Sequence, residues 1–322
     1  MKAPKTVQHP SPDVPLKIGT RGSPLALAQA HETRTRLAAA WNLPEEAFEI
    51  VVIKVSGDDR FMVDKDMPLK EIGNKGLFTR EIEEDLAAGK IDIAVHSMKD
   101  MPTVQPEGLL LDTFLPREDV RDAFISPSAT SLADLPEGAT VGTSSLRRRA
   151  QLRHRRKDLN VVEFRGNLQT RLKKLNEGVA DCTFLACAGL NRLKMDDVPA
   201  TPIDPGDMLP AIAQGAIGIE RRAEDNRVAR LLEAIHDTDT GDRLRAERSF
   251  LLTLDGSCET PIAGLATLDG ATLTLRGEVL RPDGSEAIAA TRTGDAADGE
   301  MLGRALGEEL LARAGTGFFD WH

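Results

Sequence analysis

Arginine dominates the chemistry this sequence offers. Residues 143–174 hold eleven Lys or Arg against only Asp158 and Glu163, an excess of nine positive charges in a chain whose net charge is −10. Arg153, Arg155, Arg156 and Lys157 read equally well as a solvated helix face. That explanation fits Arg147, Arg148 and Arg165 less well, because they follow the ends of expected strands at Thr143-Ser144 and Phe164. In open α/β sheets the carboxyl ends of strands border the ligand crevice, and a guanidinium presents a planar fork of donors suited to carboxylate or phosphate. Arg21 and Ser23 follow another expected strand. Thr143 and Ser145 open a helix, where backbone N–H groups favour anions. Lys99 and Asp100 come directly after the strand-like run Ile91–His96. This convergence points to a polyanionic ligand in a cleft between two lobes.

Asp100 is a carboxylate beside that positive charge. A salt bridge to Lys99 or a helix cap would account for it, and so would stabilisation of a cation formed during a reaction. His96 reads as a structural residue. Three cysteines, an odd number, make no disulfide framework. Cys182 and Cys187 lie in an apolar run at a spacing that puts them on opposite faces of a strand, as small core residues. Cys258 differs, sitting in the polar turn Asp255–Glu259. There is no CxxC, HExxH or cysteine–histidine cluster, so no metal site is expected.

The elements that must position these groups follow a βαβ grammar. Leu16–Thr20 reads as a strand, and Ser23 with Pro24 supplies an N-cap and a first helical residue. Glu49–Val55 alternates as a strand, Thr79–Ala88 reads as a helix stopped by Gly89, and Ile91–His96 is again a strand. A second block begins near residue 121, with strands at Ala139–Gly142, Asn160–Phe164 and Cys182–Cys187 and helices at Ser145–Arg156 and Leu168–Asn176. Both blocks imply α/β layers on a largely parallel sheet. Pro- and Gly-marked segments at 115–119 and 205–210 suggest that the chain crosses over and later returns to its first block. From Leu244 a helix, a Gly256 loop, alternation over Ala271–Val279, a Pro282-Asp283-Gly284 turn and a helix over Glu300–Ala314 read as a small α+β domain.

With 322 residues the chain has room for two or three domains, and 41% apolar with 29% charged residues is globular composition. No apolar run approaches the ~20 residues of a membrane span. The acidic balance, the absence of tyrosine and an aromatic content of 4% argue against nucleic acid, since few stacking platforms exist. Residues 1–15, with four prolines and no apolar core, read as a flexible tail rather than a secretion signal, and the cysteine usage suggests the cytoplasm.

Seven ordered motifs now stand out: Thr20–Leu27 (TRGSPLAL), Gly73–Phe78 (GNKGLF), His96–Pro102 (HSMKDMP), Gly142–Arg148 (GTSSLRR), Arg165-Gly166-Asn167, Pro210–Gly215 (PAIAQG) and Gly256-Ser257-Cys258. On these the sequence resembles the porphobilinogen deaminases, or hydroxymethylbilane synthases, from Leu16 to the C-terminal helix. The resemblance implies two α/β lobes like those of type II periplasmic binding proteins, at 16–115 with 211–236 and at 116–210, and an α+β domain at 237–322. It implies head-to-tail condensation of four porphobilinogen molecules, with loss of ammonia each time, on a dipyrromethane cofactor joined through a thioether to Cys258, and then hydrolysis to hydroxymethylbilane. Asp100 matches the family's catalytic carboxylate. Lys99, Thr143, Ser145, Arg147 and Arg148 match cofactor-binding positions; Arg21, Ser23, Arg165, Arg171 and Phe78 match substrate-binding ones, although Phe78 fits a core role nearly as well. A monomer that hands its product to uroporphyrinogen III synthase is also implied. The chain departs from the family at Lys70-Glu71, where alanine-lysine is common, and at Ser257, where glycine is common. A non-catalytic anion-binding protein on the same fold is the rival, disfavoured by Cys258 and the lack of a secretion signal.

Overall fold

A computed structural model describes residues 9–55, 79–257, 260–315 and 317–318. Their contacts divide them into two compact units, one with the described residues of 1–59, 75–117 and 216–241 and one with those of 118–215 and 242–322.

In the first unit, β1 (Leu16–Arg21), β2 (Phe48–Ile53), β3 (Ile93–Ser97), β4 (Leu109–Phe114) and β10 (Ile217–Arg222) form a five-stranded sheet in the order β2-β1-β3-β10-β4. β1 runs parallel to β2 and β3, and β10 runs antiparallel to β3 and β4. Helices α1 (Pro24–Trp41), α2 (Arg80–Ala87) and α6 (Asn226–Glu233) belong to the same unit. Leu16, Ile18, Ile93, Val95, Ile217 and Ile219 bury one sheet face together with Leu37, Val228 and Leu232. α1 starts as its sequence predicts: the Ser23 hydroxyl accepts from the Ala26 N–H at 3.3 Å with Pro24 in the first turn, and the helix ends on left-handed Asn42 (φ 51°). Residues 9–15 do not behave as a tail. Ser11 and Val14 form a bridge, Pro10 is buried, and the His9 ring packs on Trp41 at 4.9 Å.

The second unit repeats the plan. Strands β5 (Asp122–Ile125), β6 (Thr140–Gly142), β7 (Asn160–Val162), β8 (Cys182–Ala186) and β9 (Ala200–Pro202) form a sheet in the order β7-β6-β8-β5-β9. β6 is parallel to β7 and β8, whereas β5 is antiparallel to β8 and β9. Both sheets thus have a parallel trio extended by one antiparallel strand that follows a crossing segment, β10 in the first and β5 in the second. The two sheets therefore share one topology. Helices α3 (Leu146–Arg155), α4 (Leu168–Asn176) and α5 (Cys187–Arg192) follow β6, β7 and β8. Cys187 opens α5 rather than ending a strand. It and Cys182 are buried in two separate core clusters.

The same unit holds an α+β part: antiparallel β11 (Ile262–Asp269), β12 (Thr272–Leu280) and β13 (Ala287–Asp295), with α8 (Gly299–Ala314) and, from residue 242 onward, α7 (Thr238–Thr253). Glycine allows close packing here. A Cβ at Gly277 of β12 would lie 2.5 Å from Phe250 and 2.9 Å from Leu306, so these helices press directly on the strand.

Candidate active site

In the first unit the chemistry gathers where β3 ends. Met98–Asp100 forms a single tight turn after Ser97. The Met98 N–H donates to the Ala216 carbonyl at 3.0 Å, and Met101 N–H closes the turn onto the Met98 carbonyl at 3.2 Å. The Met98 side chain is buried where Gly218 leaves room, since a Cβ at that position would collide with its sulfur. Buried Met98 thus anchors a turn whose next residues, half-buried Lys99 and exposed Asp100, face outward. A recess of about 90 Å³ is lined by Arg21, Ser23, Gln29, His96, Ser97 and Asp100, with Thr79. Three predicted site residues from two strand ends therefore share one cavity. Gln29 donates to the Ser97 hydroxyl at 2.8 Å and accepts from it at 3.0 Å, tying α1 to the end of β3. His96 is buried, its Nε2 3.1 Å from Glu220 Oε2, as befits a structural residue. Burial, then the neighbouring Glu220, raises the Glu83 carboxyl above its usual value.

In the second unit the groups gather at the start of α3. The Thr143 hydroxyl accepts from the Ser145 N–H at 3.2 Å, and Ser145 caps the helix by accepting from the Arg148 N–H at 3.4 Å. Arg147 and Arg148 are buried rather than projecting from an open rim, because both guanidiniums converge on Asp122, which is 0% exposed. Arg147 Nη2 lies 2.8 Å from one carboxylate oxygen, and Arg148 Nη2 donates to the other at 2.7 Å. Gln214 adds a third donor to Asp122 at 3.0 Å. Arg148 also donates to the Phe184 carbonyl at 2.8 Å, and Arg147 to the Leu209 carbonyl at 2.9 Å. Burial alone would raise the Asp122 carboxyl. The two guanidiniums and the hydrogen bonds from Arg148 and Gln214 outweigh it and hold the group well below the usual carboxylate range. Burial lowers the Arg147 pKa against the opposing pull of Asp122, yet a guanidinium stays protonated in proteins. The Nε–H groups of Arg147, Arg148 and Arg165 are buried without a hydrogen-bond partner among the described residues, which is uncommon for buried donors.

Arg165 follows β7, its Nε 3.9 Å from Glu163. Gly166 takes φ 115°, a conformation that favours glycine, and its carbonyl accepts from Arg171 Nε at 2.9 Å. Asn167 caps α4 by accepting from the Thr170 N–H at 2.9 Å. The Arg165-Gly166-Asn167 motif thus makes a turn that brings Arg171 back to the strand end. Phe78, Cys258, Lys70 and Glu71 lie outside the described residues. Sequence reasoning overlooked Asp122, Gln29, Gln214 and Glu220. Asp122 could have been found as a lone carboxylate heading the apolar run Asp122-Ala123-Phe124-Ile125, which calls for a counter-charge. Among the described residues no cluster of three or more His, Cys, Asp or Glu is arranged to hold a metal ion, and no helix is long and apolar enough to cross a membrane.

Together these features define an α/β protein with cationic groups at strand ends and an arginine pair buried on Asp122. Residues 16–230 match the family model described as porphobilinogen deaminase, dipyromethane cofactor binding domain, and residues 242–312 match porphobilinogen deaminase, C-terminal domain. A porphobilinogen deaminase of Paracoccus denitrificans (strain Pd 1222) is 65% identical over 314 residues, covering 98% of this chain and 99% of the relative. The chain belongs to the porphobilinogen deaminase family and carries its dipyrromethane cofactor binding domain, which makes it a transferase of porphyrin biosynthesis. Among solved structures, a periplasmic substrate-binding protein of an ABC transporter from Coxiella burnetii overlaps at TM-score 0.40 with 15% identity, covering 69% of this chain and 92% of its own. A nutrient binding protein from Burkholderia cenocepacia bound to methionine overlaps at 0.41 with 13% identity, covering 74% and 95%. Both overlaps are too loose to inform the function.

Proposed function

We propose that this chain condenses four porphobilinogen molecules with Asp100 as its catalytic carboxylate and Cys258 as the point of thioether attachment for the dipyrromethane. The residues present fit such a group. A dipyrromethane built from porphobilinogen bears acetate and propionate side chains, and the buried Nε–H groups of Arg147 and Arg148, without a hydrogen-bond partner among the described residues, are the observation that carries the assignment, because charge-assisted guanidinium–carboxylate bonds are among the strongest available. Thr143, Ser145 and Lys99 add further donors for it. When bound, the dipyrromethane supplies the ring carbon on which the product grows. Arg21, Ser23, Arg165, Arg171 and Phe78 hold the carboxylates and ring of incoming porphobilinogen.

Asp100 offsets the positive charge left on the porphobilinogen methylene as ammonia departs, and accepts hydrogen bonds from pyrrole N–H. Its turn is fixed by the Met98–Ala216 bond and by buried Met98, so the carboxylate is held in place before the charge develops. Losing one preorganised electrostatic group of this kind typically slows reaction about 10²–10³-fold. Asp100→Asn should therefore fold and carry its dipyrromethane but add porphobilinogen some hundredfold more slowly, measured as product per unit time with the primed protein. Turnover near that of the parent would remove Asp100 from this role. A cytoplasmic monomer divided at 16–115 with 211–236, 116–210 and 237–322, which passes its product to uroporphyrinogen III synthase, completes the proposal.

A further inference from the structure

Gln151 stands one helical turn after Arg147 on α3, where residues four apart share a face. It is 0% exposed, and all its hydrogen bonds go to other buried groups. Its Oε1 accepts from Arg147 Nη1 at 3.2 Å, while its Nε2 donates to the Leu209 carbonyl at 3.1 Å and to Glu278 Oε2 at 2.7 Å. An amide can be turned end for end, but here two acceptors fix it. Turning it would set the amide oxygen against a carbonyl and a carboxylate, and the NH₂ against a guanidinium. The Glu278 charge therefore dictates that the Gln151 oxygen points at Arg147.

Glu278 is itself held firmly. It lies on β12 next to Gly277, against which Phe250 and Leu306 press, and it is 8% exposed. Its other oxygen is 3.9 Å from Arg155, beyond hydrogen-bond distance, so the bond from Gln151 is its main buried partner. The contacts run without interruption from Glu278 in the α+β part through Gln151 to Arg147 and on to Asp122.

We propose that Gln151 and Glu278 are positioning residues that aim the Arg147 guanidinium at its ligand, linking the α+β part of the chain to the arginine pair on Asp122. With Nη1 engaged by Gln151 and Leu209 and Nη2 by Asp122, the plane of the guanidinium is fixed, and so is the direction of its Nε–H, which has no hydrogen-bond partner among the described residues. This inference rests on the assignment of Arg147 to the dipyrromethane. It adds that the orientation of Arg147 is imposed from β12.

The test follows cofactor loading by intact mass. Full-length protein produced without porphobilinogen is mixed with porphobilinogen, and the growth of the mass corresponding to two linked pyrrole units is timed. Gln151→Leu and the gentler Glu278→Gln should each slow loading roughly three- to tenfold, the worth of one buried hydrogen bond. The double variant should be no slower than the slower single one, because the two act in series. Arg147→Lys keeps a charge for Asp122 but removes the Nε–H, and should be at least as slow as either. Loading at the parent rate by Gln151→Leu and Glu278→Gln beside a slow Arg147→Lys would overturn the relay alone. Parent-rate loading by Arg147→Lys would overturn the assignment of the arginine and the relay with it. A lowered melting temperature with unchanged loading in Glu278→Gln would mark the contact as mere packing and also reject the proposal.

Discussion

Asp122 carries a negative charge where no water reaches it, and two guanidiniums depend on it. Removing one member of such a buried set leaves uncompensated charge and typically costs about 3–5 kcal/mol. Asp122→Asn should lose that order of stability in urea unfolding while Arg147 and Arg148 remain buried and unneutralised. The pH dependence follows from the depressed carboxyl. The unfolded chain titrates near pH 3.9, so the contribution of Asp122 is fully present above that value and is lost as the pH falls through the lower folded pKa. Urea midpoints of the parent should drop steeply below about pH 4, and Asp122→Asn should lack part of that drop. The thiols make a complementary case. Burial, then the neighbouring Asp181, pushes Cys182 up to about 12, and burial, then Asp119, pushes Cys187 up to about 11. Neither forms thiolate near neutrality, so iodoacetamide at pH 8 should leave both unmodified in the folded protein and label both in urea, as peptide mass mapping will show. The charged motifs were legible at this scale because arginines placed after strand ends are visible in the sequence. The burial of Arg147 and Arg148 was not. It depends on Asp122, which lies on a strand brought alongside only by tertiary pairing, and on Gln151, whose helix looked solvated from its neighbours Arg153 to Lys157.

Elements with their own local chemistry were readable, and those defined by partners were not. The helix over Leu168–Asn176 has the bounds its sequence predicts, since Asn167 caps it and glycine at 178 follows its end. Ser145 and Ser23 likewise mark their helices. By contrast β9 has three residues and β5 four, too short for periodicity to show. β10 reads Ile-Gly-Ile-Glu-Arg-Arg directly after a loop motif, and only its antiparallel pairing with β3 and β4 makes it a strand. That strand also shapes the Met98–Asp100 turn through Gly218. Gly218→Val would drive branched atoms into Met98 and Leu111, whose Cδ1 lies 3.1 Å from the position of a Cβ. Overpacking of this kind costs about 1–3 kcal/mol. The variant should unfold more easily and should also turn over several-fold more slowly, and Met98→Ala in the same chain should restore part of both, as measured by thermal melting and steady-state rates.

Across the whole molecule the charge is segregated: the strongly basic stretch at 143–174 belongs to a protein with a net charge of −10, and part of that positive charge is buried on Asp122 instead of offered to solvent. Composition and periodicity alone pointed to α/β blocks with a smaller α+β domain. The family resemblance gave the reaction, because chemistry resides in sites and not in folds. The matches over residues 16–230 and 242–312 bear out that resemblance. The shared 2-1-3-n-4 order of the two sheets was out of reach of sequence periodicity, since it arises from pairings between strands far apart in the chain. What the account requires most is a dipyrrole carried on one sulfur and held by buried guanidinium groups. The most direct measurement is the intact mass of the purified protein beside that of Cys258→Ser. The parent should exceed its sequence mass by two linked pyrrole units and the variant should match its own sequence mass; a parent without the excess, or a variant that keeps it, would contradict the account.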